Sequence, residues 1–275
     1  MLMDWIRFIR PANAVIAGLG AALGYACVPG PYLWAKAALG FAAMASLAAA
    51  GNAHNDVLDL ETDRVNRPNR ALPAGLITPR TAGITAAALY LLALAAAFAS
   101  GYPEGLLALA MALLLYTYNH TLKALPIGGN LAVSVLCALT LYYSEFPSFP
   151  AHTGLPAVFA LLSTWARELA KDAEDIPGDL ATGRNTFPIR YGPVAARWMV
   201  GVLAVLLLLL LPVPMLFLHY RSAYALPTVW AALPLLLLIL YSVSKVSPQW
   251  GKVQRYWKWF MLAGMLAILA GVRGI

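Results

Sequence analysis

Acidic residues are scarce in this sequence, and most of them fall in two short clusters. Nine of the 12 Asp and Glu residues lie in these clusters, each of which follows an apolar run. The members are Asp56, Asp59, Glu61 and Asp63 in the first cluster and Glu168, Asp172, Glu174, Asp175 and Asp179 in the second. Carboxylates this close together repel one another unless cations neutralise them. The clusters therefore predict a site for cations.

The aspartates of the two clusters share one spacing. Each cluster has Asp residues at i, i+3 and i+7, and each Asp is displaced from its counterpart by 116 positions. The two triplets are Asp56, Asp59, Asp63 and Asp172, Asp175, Asp179. On a helix this spacing places the carboxylates on one face, and oxygen-only ligands suit a hard ion such as Mg2+. We therefore predict a Mg2+ site rather than solvated loop charges, and the repeat raises the hypothesis of two similar halves.

Arginines follow the first cluster at steps of three. They are Arg64, Arg67 and Arg70, and Asn55 stands four residues before Asp59. Guanidinium groups bind phosphate oxygens in a fork, and carboxylates hold the divalent ions that accompany a diphosphate. The combination of carboxylates and arginines predicts a diphosphate site.

The composition is that of an integral membrane protein. Hydrophobic residues make up 61% of the 275 residues and charged residues 11%, and the mean hydropathy is +0.71. Because soluble proteins average about 25% charged residues, we expect neither a soluble enzyme nor a nucleic-acid partner. Cys27 and Cys137 lie in separate apolar runs, so they predict neither a disulfide nor a soft-metal site.

Nine apolar segments have about the length that a bilayer requires, roughly 17 to 25 residues. The predicted spans are 13–29, 34–54, 82–101, 104–120, 129–146, 154–171, 194–213, 223–243 and 255–272. Because lipid offers the backbone no hydrogen-bond partners, each span should be a helix. The predicted fold is an all-α membrane protein, a bundle of nine transmembrane helices in a single domain over residues 1–275.

Lys and Arg residues are distributed unevenly between the two sides of these spans. With the N-terminus in the cytoplasm, sixteen of the 19 fall on the cytoplasmic side, and only Lys36, Arg221 and Arg273 fall on the other. This positive-inside bias places the N-terminus and both Asp-rich loops in the cytoplasm. We expect a multi-pass protein of the cell membrane.

The motifs resemble those of the UbiA superfamily of membrane-embedded prenyltransferases. The first family signature has the form N-D-x-x-D-x-x-x-D followed by R-P-x-R-P-L. This chain matches it over residues 55–63 and 67–72, with Ala71 as the one departure. The second signature matches residues 171–192. Shorter matches are Arg10 to Asn13, Tyr118 to Lys123, and Gly129 with Asn130.

The resemblance implies a fold and a set of site residues. It implies that the helices surround a central cavity opening near the cytoplasmic face, and that Mg2+ is the cofactor that holds an isoprenyl diphosphate on the two Asp-rich motifs. The implied metal ligands, which include the six catalytic aspartates, are Asn55, Asp56, Asp59, Asp63, Asp172, Asp175 and Asp179. The implied substrate-binding residues are Asn13, Asn55, Arg67, Arg70, Tyr118, Lys123, Lys171 and Arg184.

Some local features have a second interpretation. Pro177 and Gly178 predict that the second Asp-bearing helix ends before the last Asp of its cluster. Tyr118, or Tyr116 in its place, would either stabilise a carbocation through its ring face or anchor the helix at the membrane interface. Asn13 would either line the substrate cavity or bond a neighbouring helix.

The second signature is most similar to that of the family members that make archaeal ether lipids, the digeranylgeranylglyceryl phosphate synthases. The resemblance implies transfer of a geranylgeranyl group from its diphosphate to the free hydroxyl of geranylgeranylglyceryl phosphate, a lipophilic acceptor. The phosphate of this acceptor needs a basic contact of its own, and among the unallocated basic residues we predict Arg184 for it. An aromatic acceptor of the 4-hydroxybenzoate, naphthoate or chlorophyllide type is the alternative. A divalent-cation transporter is disfavoured because the arginines would obstruct a cation path.

Overall fold

The computed structural model describes Trp5 and residues 8–273, with only the backbone at Arg273. Arg7, counted above on the cytoplasmic side, lies outside the described residues. Within them the chain is all-helical, as predicted, and contains no strand. The helices are α1 (Pro11–Cys27), α2 (Trp34–Leu58), α3 (Leu60–Asn66), α4 (Pro79–Ser100), α5 (Tyr102–His120), α6 (Gly128–Tyr142), α7 (Gly154–Ala181), α8 (Phe187–Tyr191), α9 (Pro193–Leu210), α10 (Val213–Phe217), α11 (Leu233–Ser244) and α12 (Trp250–Arg273). Short helical turns from Ser222 to Ala232 lead directly into α11.

Prolines determine where several helices begin. A proline occupies the first or second position of α1, α4, α5, α8, α9 and α11. The fixed φ of proline suits a helix start, and its missing N–H has no partner to lose there. Thr78 adds a side-chain cap to α4 by accepting a hydrogen bond from the Thr81 N–H at 3.2 Å.

Four helical segments of the described chain are long and apolar enough to cross a bilayer. They are Trp34–Leu58, Pro79–Ser100, Pro193–Phe217 and Ser222–Ser244, and two shorter apolar helices are Pro11–Cys27 and Gly128–Tyr142. The predicted membrane character is thereby supported, whereas the count of nine spans is not confirmed. One reason is visible in α7, which runs ten residues beyond its predicted span and carries the second acidic cluster within one continuous helix.

The long helices form a closed ring. Helix α1 contacts α2, α6 and α12, while α7 contacts α6, α9 and α12. The ring encloses a cavity of about 480 Å³, lined mainly by apolar side chains such as Met44, Met111 and Phe260. Two hydrophobic cores flank this cavity, one between α7, α9, α11 and α12 and the other between α1, α2, α4, α5 and α6.

Small residues bring α2 and α4 close together. Ala82, Ala86, Ala93 and Ala97 are all buried on α4, and α2 is the helix that α4 contacts most extensively. In a bilayer, helices associate largely through such close van der Waals packing, because lipid tails are as apolar as the side chains. The interface holds α2 in place, and the end of α2 carries the first acidic cluster.

The core between α7, α9, α11 and α12 provides a test of the packing. Leu207 on α9 is fully buried there, whereas Leu209 on the same helix is 66% exposed. We expect Leu207→Ala to leave a cavity and to lower the free energy of unfolding by about 2 kcal/mol or more. The measurement is the thermal unfolding midpoint in detergent. Leu209→Ala is the matched control and should leave the midpoint near that of the wild type; equal midpoints for the two variants would contradict the packing described here.

Candidate active site

The first acidic cluster lies where α2 passes into α3. The N–H of Asp59 donates to the carbonyl of Asn55, and the N–H of Asp63 donates to the carbonyl of Asp59, each at 2.8 Å. These bonds keep nearly helical geometry across the junction. Asp56, Asp59 and Asp63 are all buried, as their predicted position on one helix face requires.

The second cluster lies on the last four turns of α7. The prediction that Pro177 and Gly178 end this helix early is wrong, because α7 continues through both residues to Ala181. Asp175 and Asp179 consequently stay on the same helix, and both are buried.

Asn66, at the end of α3, bonds the backbone of α7 on both sides of Pro177. Its side-chain Oδ1 accepts a hydrogen bond from the Gly178 N–H at 2.8 Å, and its Nδ2 donates to the Asp175 carbonyl at 3.0 Å. The amide thus satisfies backbone groups on both sides of Pro177, where the ring removes an N–H. A Cβ at Gly178 would collide with the Asn66 side chain, so glycine is required for this close approach. Asn66 escaped the sequence analysis because its partners lie in the other cluster.

Two ion pairs join the clusters in a reciprocal way. Arg67, which follows the first cluster, makes a bidentate pair with Asp175 of the second at 2.7 and 2.8 Å. Arg184, which follows the second cluster, pairs with Asp59 of the first and lies 3.5 Å from Asp179. Asp59 and Asp175 are counterparts in the 116-residue repeat. Each cluster therefore supplies the arginine that neutralises the middle Asp of the other.

Two further contacts follow the same repeat. The Thr62 hydroxyl donates to the Thr182 hydroxyl at 3.1 Å, while Asn66 bonds Gly178. Shifting Thr62 and Asn66 by 116 positions gives Gly178 and Thr182, so the two contacts exchange under the repeat. The short α3 and the end of α7 are thus related by an approximate two-fold axis, which accords with the hypothesis of two similar halves at the clusters.

The clusters face each other across a small polar cavity of about 50 Å³. Twelve of the predicted site residues line it, namely Asn55, Asp59, Asp63, Arg67, Arg70, Tyr118, Lys123, Lys171, Asp172, Asp175, Asp179 and Arg184. Asn13 lines the larger apolar cavity instead. Asp56 turns toward Arg10 and lies 3.5 Å from Arg70. The structure therefore brings the predicted set together at one end of the helical ring.

Every aspartate of the two triplets has a polar partner. Asp63 pairs with Arg70, Asp59 also with Lys123, and Asp172 accepts a bond from Asn130 Nδ2 at 2.9 Å. The sequence analysis did not assign roles to Arg10 or Asn130. Both belong to motifs that it matched, and this was the available signal.

Charge balance determines the ionisation of Asp59. Burial alone would raise the pKa of its carboxyl, but Lys123 and Arg184 outweigh burial and hold that pKa below its usual value. Asp59 in turn raises the pKa of Arg184 against the opposing effect of burial. Burial lowers the pKa of Lys123, an effect that Asp59 partly offsets. Asp59 and Arg184 therefore stay charged at neutral pH.

The oxygen ligands available in the small cavity fit a hard divalent ion. The small cavity is lined by carboxylate and amide oxygens, which are the ligands that Mg2+ prefers. Among the described residues, no three His, Cys, Asp or Glu side chains converge as a metal site. In the structure, basic side chains hold the carboxylates in their present positions.

Of the two tyrosines considered above, only one reaches both cavities. Tyr118 lines the small polar cavity and the large apolar one. Tyr116 is 54% exposed and stacks on His120 with ring centroids 4.3 Å apart. The carbocation role is thus geometrically open to Tyr118 rather than Tyr116.

A ring of helices around an apolar cavity, with two facing Asp clusters at one end, defines the class of membrane-embedded prenyltransferases. The chain belongs to the UbiA prenyltransferase family, whose sequence profile matches residues 14–269. This confirms the resemblance found in the sequence and identifies a multi-pass membrane enzyme.

Individual relatives cover nearly the whole chain. The digeranylgeranylglyceryl phosphate synthase of Methanopyrus kandleri is 36% identical over 98% of each chain. A solved structure from work on digeranylgeranylglyceryl phosphate synthase in membranes has a TM-score of 0.72 at 27% identity, over 100% of this chain and 99% of that chain. A UbiA homologue from Archaeoglobus fulgidus bound to GPP and Mg2+ has a TM-score of 0.65 at 20% identity, over 96% of this chain and 99% of that chain. The last comparison concerns the fold alone.

Asn66 offers a test of how the clusters are held together. We expect Asn66→Ala to lower the free energy of unfolding by about 1 to 3 kcal/mol, because a buried Gly178 N–H loses its acceptor. Amide hydrogen exchange at residues 176–182 should accelerate. Asn69→Ala removes an exposed amide from the same loop and is the control. If both variants match the wild type in unfolding midpoint and exchange, the Asn66 bridge does not stabilise α7.

Proposed function

We propose that the chain transfers a geranylgeranyl group from its diphosphate to the free hydroxyl of geranylgeranylglyceryl phosphate, a step of ether-lipid synthesis. The observation that carries the proposal is the pair of facing Asp clusters at the end of an apolar cavity. The two cavities share Arg67, Arg70, Lys171 and Tyr118, so a polar head and an apolar chain can be bound together. The named relative at 36% identity supports the acceptor.

The small cavity is the proposed site of the diphosphate and its divalent ions. The residues that would hold Mg2+ are Asn55, Asp56, Asp59, Asp63, Asp172, Asp175 and Asp179. Mg2+ bound there supplies Lewis-acid stabilisation of the leaving diphosphate, worth several kcal/mol. The Archaeoglobus fulgidus UbiA homologue, which shares this fold and is bound to GPP and Mg2+, supports both the class of donor and the ion.

The arginines that now neutralise the carboxylates would then contact the substrate. Arg67 and Arg184 are the partners of Asp175 and Asp59. When these carboxylates bind divalent ions, the guanidinium groups become available for diphosphate oxygens, with which they form strong forked hydrogen bonds. No buried charge is left unpaired by this exchange. Lys123 and Lys171 are the proposed additional contacts.

The large cavity is the proposed site of the prenyl chain. Its volume of about 480 Å³ falls within the range of pockets that bury small ligands. An apolar lining excludes the water that would quench an allylic carbocation. Tyr118 lies where the two cavities meet, so its ring face is the proposed stabiliser of that cation. Asn13 is proposed to contact substrate in the large cavity.

The position of Arg184 favours the donor rather than the acceptor. The sequence analysis predicted Arg184 for the acceptor phosphate, but its guanidinium lies between Asp59 and Asp179. A side chain there would contact the diphosphate of the donor. We therefore assign Arg184 to the donor site.

The proposed topology has nine membrane crossings, with the cavity opening near the cytoplasmic face. The crossings are α1, α2, α4, α5, α6, α7, α9, α11 and α12. Four of these helices separate the two Asp clusters, and an even number returns the chain to the same side. Arg10 pairs with Asp56, so the start of α1 also lies on that side. The positive-inside bias supports placing this side in the cytoplasm.

The proposed metal dependence predicts how activity responds to chelation. Excess chelator should abolish transfer from geranylgeranyl diphosphate, and added Mg2+ should restore it. Asp59→Ala and Asp175→Ala should each lower kcat roughly 100-fold or more, because the leaving charge loses its stabilisation. Radiolabelled product formation by purified protein measures both effects.

Glu61 provides the matched control for the aspartates. It belongs to the first cluster but is exposed, and its partner is Arg64 at 2.6 Å. Glu61→Ala should keep kcat within about twofold of the wild type, as expected of an exposed pair worth well under 1 kcal/mol. Full activity in excess chelator would contradict the proposed dependence on Mg2+. If the protein prenylates 4-hydroxybenzoate and does not turn over the glyceryl phosphate, the proposed acceptor is wrong and the assignment as a prenyltransferase stands.

The topology predicts which introduced cysteines react from each side of the membrane. In a protein with Cys27 and Cys137 replaced by alanine, Asn185→Cys lies beside the second Asp cluster and should react with an impermeant maleimide only from the cytoplasm. Ser148→Cys lies at the opposite end of the bundle and should react only from outside. Both positions are exposed. Reaction of the two in the reverse sense, measured in right-side-out and inverted vesicles, would overturn the assignment.

A further inference from the structure

A second group of basic side chains lines the large cavity, outside the two Asp triplets. Arg167 on α7 and Lys258 on α12 both line it. Neither belongs to a motif that the sequence analysis matched. The residues come from helices that contact each other along the ring.

The positive charge of this group exceeds its negative charge. Glu168 is the carboxylate shared by Arg167, at 2.7 Å, and Lys171, at 3.0 Å. Among the described residues no carboxylate lies within ion-pair distance of the Lys258 ammonium. Arg167 and Lys171 thus share Glu168 while Lys258 has no carboxylate partner, so these four side chains carry a net charge of +2.

One hydrogen-bond donor of this group is also unused. The Nε of Arg167 is buried and has no hydrogen-bond partner in the structure. Buried donors are nearly always paired, so the exception requires an explanation, and an anionic ligand in the cavity would supply one. A surplus of two positive charges together with an unused guanidinium N–H fits a phosphate monoester, whose charge is about −1.5 to −2 at neutral pH.

We propose that Arg167 and Lys258 bind the phosphate of the acceptor, a prenylated glycerol phosphate. This inference rests on the proposed function. The donor diphosphate and the acceptor phosphate would repel each other, so each requires its own cations. Arg67, Lys123 and Arg184 surround the small cavity, whereas Arg167 and Lys258 line the large one.

The position of Arg167 suits the geometry of the reaction. Arg167 precedes Lys171 by one helical turn on α7, about 6 Å along the axis, and Lys171 lines both cavities. The reacting hydroxyl of a glycerol phosphate is separated from phosphorus by two carbons and one oxygen. A phosphate held one turn from the diphosphate site therefore leaves the hydroxyl between the two anions, where the prenyl group is transferred.

Lys258 is the better residue to substitute, because its replacement does not leave a carboxylate partner unpaired. Lys258→Met should raise the KM for geranylgeranylglyceryl phosphate about tenfold or more, the loss expected for a charge-assisted hydrogen bond, and leave the KM for geranylgeranyl diphosphate within twofold. Lys258→Arg should restore the acceptor KM. Lys252→Met, at an exposed position on the same helix, is the matched control. Arg167→Met should act in the same direction as Lys258→Met.

An acceptor without phosphate separates this inference from the proposed function. The wild type should prefer geranylgeranylglyceryl phosphate to geranylgeranylglycerol, and Lys258→Met should lose most of that preference. If the wild type prenylates the glyceryl phosphate and Lys258→Met keeps its acceptor KM and its preference, the phosphate site is wrong and the function stands. The proposed function fails if the wild type does not prenylate the glyceryl phosphate and does not bind it in a direct binding assay. In that case the phosphate site fails as well.

Discussion

Burial of negative charge is the constraint on which the rest of the structure depends. Five of the six aspartates in the two triplets are buried, and an unpaired buried carboxylate would be strongly destabilising. Neither cluster supplies enough cations for its own carboxylates. Arg67 and Arg184 therefore cross between them, and this exchange holds the end of α7 against α3. The arginines that neutralise the buried carboxylates are the same side chains that are proposed to bind the diphosphate.

The division of α7 into an apolar and a charged part links this polar end to the hydrophobic ring. Its first half packs in the core with α9 and α12, while its last four turns carry the second cluster. A single rigid helix thus fixes the position of the carboxylates relative to the apolar cavity. In the proposed function, this helix would hold the head and the chain of the donor at a set distance from each other, which positions the reactive allylic carbon.

Much of the site was predictable because its signals are local. The i, i+3, i+7 spacing survives the α2–α3 junction, and twelve predicted residues meet around one cavity. What could not be predicted depends on distant contacts. Pro177 predicts a helix end in the sequence. In the structure the helix continues, and the Asn66 amide bonds its backbone on both sides of Pro177. Lys258 lies on a helix without a motif, and its significance arises only from the cavity that it shares with Arg167. The count of nine spans stays a prediction, because α7 combines an apolar segment and a polar segment in one helix.

The two ion pairs formed by Arg67 and Arg184 also couple the two Asp clusters to each other. Pulling the two loops apart would break the Arg67 and Arg184 pairs together, because each loop holds one partner of both. No intermediate with one loop released keeps all its charges neutralised. If the two clusters separate, both ion pairs must therefore break together, and a ligand that carries both cations and anions would supply replacement partners for all four side chains.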